Sequence, residues 1–220
     1  FGYFIQHTLI RPVFKAEQDV REPLGVLMVT AGLWIFMDAF ALSIFGAFYK
    51  TIKTSYKSAV FHLGDATVSV PRLYAFLTTM ILFFLFYLFL KKTRLGQAMR
   101  ATGQDRDAAR LMGINVDRVF NVAFGIGTVL VGAAGAVLVP FYYVYPTVGV
   151  VFDIRAFIIV VLGGLGSIPG VLVGGLIIAF VENFGAQFIT STWTEGIIYG
   201  IFIGVLFLKP EGLFGFKAEW

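Results

Sequence analysis

Asp38 and Glu182 each place a carboxylate within a long run of apolar residues. A charge at the centre of a bilayer costs about 2.5–3.5 kcal/mol on insertion scales, so such a residue faces protein or water. Two roles suit these carboxylates: a link in an interhelical hydrogen-bond network, or a polar point on a water-filled path. Glu182 also suits a simpler place, at a helix end on the membrane surface. Asp153 and Arg155 stand two apart and read as a solvated surface pair or a contact for an outer partner. His7 and His62 are far apart and read as interfacial or surface residues, so no metal site is expected. The chain has no cysteine, which removes thiol catalysis and cysteine-ligated metals. No apolar run holds a lysine for Ser–Lys chemistry or a second aspartate for an aspartyl pair. No Gly-x-x-x-x-Gly-Lys-Ser/Thr loop is present, so the chain is not expected to hydrolyse ATP or to be an enzyme.

The elements around these residues are set by composition. Of 220 residues, 58% are hydrophobic and only 14% charged, against about 25% charged in soluble domains. That excludes a disordered chain, a coiled coil and a disulfide scaffold, and leaves a polytopic membrane protein. The net charge of +4 then reads as basic loops at a membrane, with no nucleic-acid partner.

Residues 1–10 form an apolar stub, too short for a span of about 20 residues. The stub reads as the end of a transmembrane helix that begins before Phe1, in a chain truncated at its N-terminus. Residues 11–22 form a charged loop. Residues 24–48 are the first full span, 49–72 a polar connection, and 73–90 an uncharged span stopped by Lys91 and Lys92. After the charged loop 91–118, a span runs to about Phe141. Residues 156–181 are uncharged but broken by Gly163-Gly164-Leu165-Gly166-Ser167-Ile168-Pro169-Gly170, and 196–208 close the membrane part. Irregular backbone at membrane depth is tolerated only inside protein or beside water. The break is therefore a broken or re-entrant helix, or a tight surface loop between two helices. Gly166, Gly170 and Gly174 fall four apart, as do Gly196, Gly200 and Gly204, and predict helix faces open to close backbone approach. The Gly132–Ala136 stretch predicts the same.

With 91–118 cytoplasmic, twelve basic residues lie inside and five outside. The positive-inside rule selects that orientation. It makes the C-terminus cytoplasmic if an odd number of crossings follows Asp153.

The 91–118 loop has local chemistry of its own. Asp105 is placed to cap a short helix, with Asp107 near its positive end. Ala108, Ala109, Leu111 and Met112 predict a small apolar face, and Gly113 suits the left-handed residue that ends the helix. Asn115 is placed to cap the next helix. Such a helix suits a groove in a soluble partner; the alternative is an ordinary solvated loop.

This loop resembles the cytoplasmic coupling loop of ABC-importer permeases, through Ala108-Ala109 followed by Gly113-Ile114. The chain is most similar to the inner-membrane permease family for branched-chain amino acids, the LivH/LivM group. Further supporting stretches are Arg94–Ala101, Gly113–Val119, Val161–Gly170 with Gly174-Gly175-Leu176, and Pro210–Gly215. The Gly-Ser-Ile-Pro-Gly order is more like the LivH half. The resemblance is strong from about Thr93 to Gly215 and weaker before it.

The resemblance implies an all-α integral membrane fold, the polytopic helical bundle of a type II-like ABC importer permease. It implies one permease domain over 1–220 with its coupling loop at 91–118. The implied partners are a second permease subunit, two cytosolic ATPases that hold ATP and Mg, and a periplasmic or lipid-anchored amino-acid-binding protein. The implied location is a cell inner membrane, crossed several times. The coupling residues carried over are Thr102, Gly103, Asp105, Arg106, Ala108, Ala109, Arg110, Gly113 and Ile114. Helix-break and packing residues are Gly163, Gly164, Gly166, Ser167, Pro169, Gly170 and Gly174. ATPase closure is expected to push the 102–114 helix and tilt the attached spans. Asp105, Arg106 and Arg110 are expected to make polar contacts around Ala108 and Ala109. The competing reading is an ATP-independent secondary transporter or channel for small amphipathic solutes, which needs paired intramembrane ions and no docking helix.

Overall fold

The computed structural model describes residues 1–16, 24–51, 60–63, 66–188 and 190–215. The acidic and basic residues expected at 17–22, two of the outer lysines (Lys53 and Lys57) and Lys217 lie outside the described residues. The chain divides into two compact units, Phe1–Thr147 and Val148–Trp220.

In the first unit, residues 2–16 are helical without interruption: α1 (Gly2–Ile5), a π-helical turn (Gln6–Ile10) and α2 (Arg11–Ala16). Residues 11–16 of the expected charged loop are therefore helical, even though Pro12 lacks an N–H for the helical ladder. This helix runs antiparallel to α7 (Val116–Leu138). A side chain at Gly2 would collide with Thr128, and one at Gly125 would touch Tyr3. Farther along, His7 meets Asn121 and Arg11 meets Asp117.

Helix α3 (Leu24–Phe45) carries Asp38 and buries no residue fully. The polar connection then holds a feature the sequence reading missed, an antiparallel hairpin of β1 (Val60–Leu63) and β2 (Ala66–Ser69). It takes in His62, which pairs with Thr67. Pro71 sits in the first turn of α4 (Val70–Lys92), where its missing N–H costs nothing. Thr93 ends α4 and caps α5 (Arg94–Gln104) by accepting from the Gly96 N–H at 3.0 Å. That turn is so tight that a Cβ at Gly96 would lie 2.5 Å from Leu90 Cα. Beyond α3 and α7, Lys50 and Val144 exchange backbone hydrogen bonds of 2.9 Å. Tyr49 and Tyr145 stack edge-on there at 4.9 Å, the amphipathic aromatics expected at a membrane–water boundary.

The second unit is three helices: α8 (Gly149–Gly163), α9 (Ile168–Phe188) and α10 (Ser191–Leu208). The expected break is present, as a four-residue turn between antiparallel helices. Gly164 and Gly166 have φ of +102° and +86°, which a side chain resists. Gly163 packs on Gly170, and a Cβ at Gly174 would sit 2.9 Å from the Ile159 carbonyl. Gly166 thus belongs to the turn and not to the helix groove predicted for it; only Gly170 and Gly174 form that groove. Gly132, Gly196, Gly200 and Gly204 meet no described neighbour within 4 Å. Ile158, Ile178 and Ile198 join the three helices in a small core.

Among the described residues four helices are long and apolar enough to cross a membrane: α3, α4, α7 and α9. α10 is a shorter apolar helix of 18 residues. The 15 residues of α8 span about 22 Å at 1.5 Å each, less than a hydrocarbon core of about 30 Å.

Candidate functional site

The charged loop folds as expected at its caps. Asp105 Oδ1 accepts from the Asp107 and Ala108 N–H groups at 2.9 Å each, starting α6 (Arg106–Leu111). Gly113 takes φ +80° and ends it. Asn115 Oδ1 accepts from the Arg118 N–H at 3.0 Å and starts α7. The Asp105 cap contributes about 1 kcal/mol to the six-residue α6, and the Asn115 cap a similar amount to α7.

The helix presents a different face from the predicted one. Ala109 is 4% exposed, whereas Leu111 and Met112 are 88% and 82% exposed. Ala108, Asp107 and Arg110 are also on the surface. For Leu111 the reason is rotational, since it stands two residues and about 200° around the helix from Ala109; Met112 lies past the helix end as its C-cap. Thr102 is buried too, and its hydroxyl has no partner among the described residues. Thr102 and Ala109 are therefore internal packing residues that cannot touch a partner as expected, and enlarging Ala109 would disturb the fold. Gly103 is exposed and Ile114 half-buried.

Arg106 is exposed, as an expected partner contact requires, and its guanidinium also lies 5.6 Å from the Phe14 ring and 5.1 Å from the Phe120 ring. Cation–π contacts contribute about 0.5–1 kcal/mol each at exposed sites. Arg110 reaches Asp107 at 3.7 Å, one turn away on α6.

Beneath Arg106 lies a cavity of about 110 Å³ lined by Gln6, Arg11, Phe14, Arg106, Asp117, Phe120 and Asn121. Arg11 donates to Asp117 through Nη2 at 2.7 Å and Nε at 3.2 Å. His7 Nδ1 lies 3.3 Å from Asn121 Nδ2 and 3.4 Å from Arg11 Nη1. The buried Asn121 Oδ1 has no partner among the described residues. None of these pairs was foreseen. Arg11 and Asp117 are separated by 106 residues, and sequence offers no register for such a pair.

The second unit holds the other polar cluster. Arg155 on α8 meets Glu182 on α9 at 2.7 Å and Glu195 on α10 at 3.7 Å. Arg155 therefore pairs across helices instead of with Asp153, which is exposed. Asp38 is half-buried and has no hydrogen bond or ion pair among the described residues. The two carboxylates expected in apolar runs thus have different surroundings: Glu182 pairs with Arg155 within its own unit, and Asp38 has no ion pair among the described residues. No group of three or more metal-ligating side chains occurs among the described residues.

The break residues serve a further contact. The segment after α10 folds back so that Leu213 and Phe214 donate to the Leu162 and Gly163 carbonyls at 2.9 and 3.1 Å. A Cβ at Gly212 would lie 2.5 Å from Gly164 Cα. The turn is therefore level with the end of α10. Ser167 Oγ accepts from the Gly170 N–H at 3.2 Å, and exposed Pro169 opens α9 where no N–H is needed.

A model of the family described as "Branched-chain amino acid transport system / permease component" matches residues 21–206. The high-affinity branched-chain amino acid permease protein BraD of Pseudomonas aeruginosa is 31% identical over 98% of this chain and 70% of its own length. The corresponding LivH protein of Escherichia coli K12 is 29% identical over the same shares. The xylose transport permease XylH of Haemophilus influenzae is 34% identical, over 54% of this chain and 32% of its own. No solved structure matches the chain.

Proposed function

The chain belongs to the family of branched-chain amino acid transport permease components, and on that premise we propose that separate ATPases drive it by docking on α6. It is a multi-pass membrane permease of an ABC transport system. The observation that carries the docking reading is the exposed Leu111–Met112 pair on a capped helix between two membrane-spanning segments. Large apolar side chains held in water at a rigid turn suit a pocket in a partner. Asp107, Ala108 and Arg110 border the pair and supply polar edge contacts.

In this reading residues 1–220 work as one permease domain, with no catalysis of their own. A second permease subunit completes the path, two cytosolic ATPases bind ATP and Mg, and a periplasmic or lipid-anchored protein delivers substrate. Branched-chain amino acids are the substrate class, because the relatives named for them align over nearly the whole chain while the sugar permease aligns over about half. The α6 side is cytoplasmic, as the basic residues of 91–118 favour. α8, α9 and α10 alternate in direction, so the C-terminus is cytoplasmic when α8 starts on the outer side.

The chain lacks cysteine, which permits a direct test. A single cysteine replaces Met112 in the intact gene, expressed with its ATPases, partner permease and binding protein; a cysteine at exposed Lys50 is the control. A crosslink to an ATPase from position 112 alone, with ATP-dependent leucine uptake, is the expected result. Uptake without ATP, or no crosslink from well-inserted protein, would overturn the reading in favour of an ATP-independent carrier. Competition by xylose but not leucine would overturn the substrate class alone.

A further inference from the structure

Arg106 is the residue of α6 that reaches two other elements at once. Its guanidinium lies against Phe14 on α2 and Phe120 on α7, whose rings stand edge to face at 6.3 Å. The backbone connection from α6 runs only to α5 and α7, so the helix containing residues 2–16 has no covalent route to α6 nearby. A pull on α6 reaches that helix directly through the Arg106 side chain, beside the indirect route through α7 and its Arg11–Asp117 pair.

The surroundings suit a moving contact. The cavity under Arg106 leaves room for the guanidinium to shift without overpacking. Ring faces hold a cation broadly and without a fixed hydrogen-bond geometry, so the contact survives sliding. One turn earlier, Arg11 and Asp117 pin the same helix to α7 with a short directional pair. The π-helical turn Gln6–Ile10 adjoins that pin, and such single turns are frequent at functional sites.

We propose that Arg106 is a positioning residue that transmits displacement of α6 to the first helix through its Phe14–Phe120 ring clamp. This rests on the reading that an ATPase engages α6. Arg106 is exposed, but in this scheme its guanidinium is engaged by the ring pair and not by the ATPase. Loss of the clamp lets α6 move while the first helix stays behind, so ATP is hydrolysed without full transport.

The test uses the complete transporter in proteoliposomes, with ATP hydrolysis and leucine uptake measured on the same sample. Arg106→Ala is expected to keep hydrolysis and the position-112 crosslink near wild type while uptake falls about fivefold or more, the scale of coupling between linked sites. Arg106→Lys, which keeps a cation over the rings, restores at least half of the uptake. Phe14→Leu with Phe120→Leu keeps an apolar surface without ring faces and reproduces the uncoupling. Unchanged uptake in Arg106→Ala overturns the proposal, as does wild-type coupling in the double leucine variant. Loss of the crosslink together with hydrolysis would make Arg106 a docking residue and overturn it too. Absence of the crosslink in the wild type would instead sink the docking reading beneath it.

Discussion

The first helix of one unit and the helical hairpin of the other are attached by opposite means. Residues 2–16 lie along α7 through an ion pair, a histidine contact, a cation–π clamp and a cavity. α8 and α9 meet through glycine backbones, and the segment after α10 locks their turn with two backbone hydrogen bonds. Long side chains around a cavity rearrange at modest cost. Backbones in contact have no slack, because protein interiors are packed like crystals. The first attachment is suited to relative movement and the second to holding shape, a division a driven transporter needs.

Breaking the rigid attachment should have the largest effect. Gly212 has φ +79° and lies against Gly164. Gly212→Val adds a left-handed strain of about 1–3 kcal/mol and an overpacking cost of about 1–3 kcal/mol. Membrane yield and the unfolding midpoint in detergent should both fall sharply; a normal midpoint would mean that the turn is not held as described.

The α6 helix separates stability from function within one turn. Ala109→Trp should lower the unfolding midpoint by an overpacking cost of about 1–3 kcal/mol. Met112→Asp should leave the midpoint unchanged yet lose about 2 kcal/mol of docking energy, the threshold of an interface hot spot. Measuring uptake and melting on both variants checks the contrast. Equal melting of the two would contradict the burial difference between them.

The Arg155 cluster is a gentler case, since it is polar yet joins three helices. Arg155→Ala leaves Glu182 without its cation. Arg155 and Glu182 are 26% and 37% exposed, so solvent screening holds the cost to about 1 kcal/mol. Glu182→Gln should cost less, because no charge is stranded. A small fall in midpoint for the first and almost none for the second is the expected pattern; the reverse order would show that Glu182 has a stronger partner than Arg155.

The local features of this chain were legible in the sequence. Apolar run length set the spans, Asp105 and Asn115 set two helix starts, and Gly113 set a helix end. The glycine break showed itself as unable to continue a helix. Each of these depends on a few neighbouring residues and on backbone chemistry that acts over one turn. The β1–β2 hairpin escaped notice although its signal was present, the Gly64-Asp65 dipeptide between two four-residue runs.

What residues face was another matter. Four residues near α6 carried apolar or small side chains, and the sequence offered no means of deciding which pair would turn inward. Packing against α5 and α7 decided it, burying Thr102 and Ala109 and leaving Leu111 and Met112 in solvent. Asp38 and Glu182 looked alike as lone acids in apolar runs, until α8 brought Arg155 to only one of them. Arg11 met Asp117, and the Gly212 turn met Gly164, across gaps that local periodicity does not span. Sequence determined which segments are helical and where they stop, because that free energy is local. Tertiary structure decided which side chains pair and which remain exposed, because those free energies exist only when distant segments are brought together.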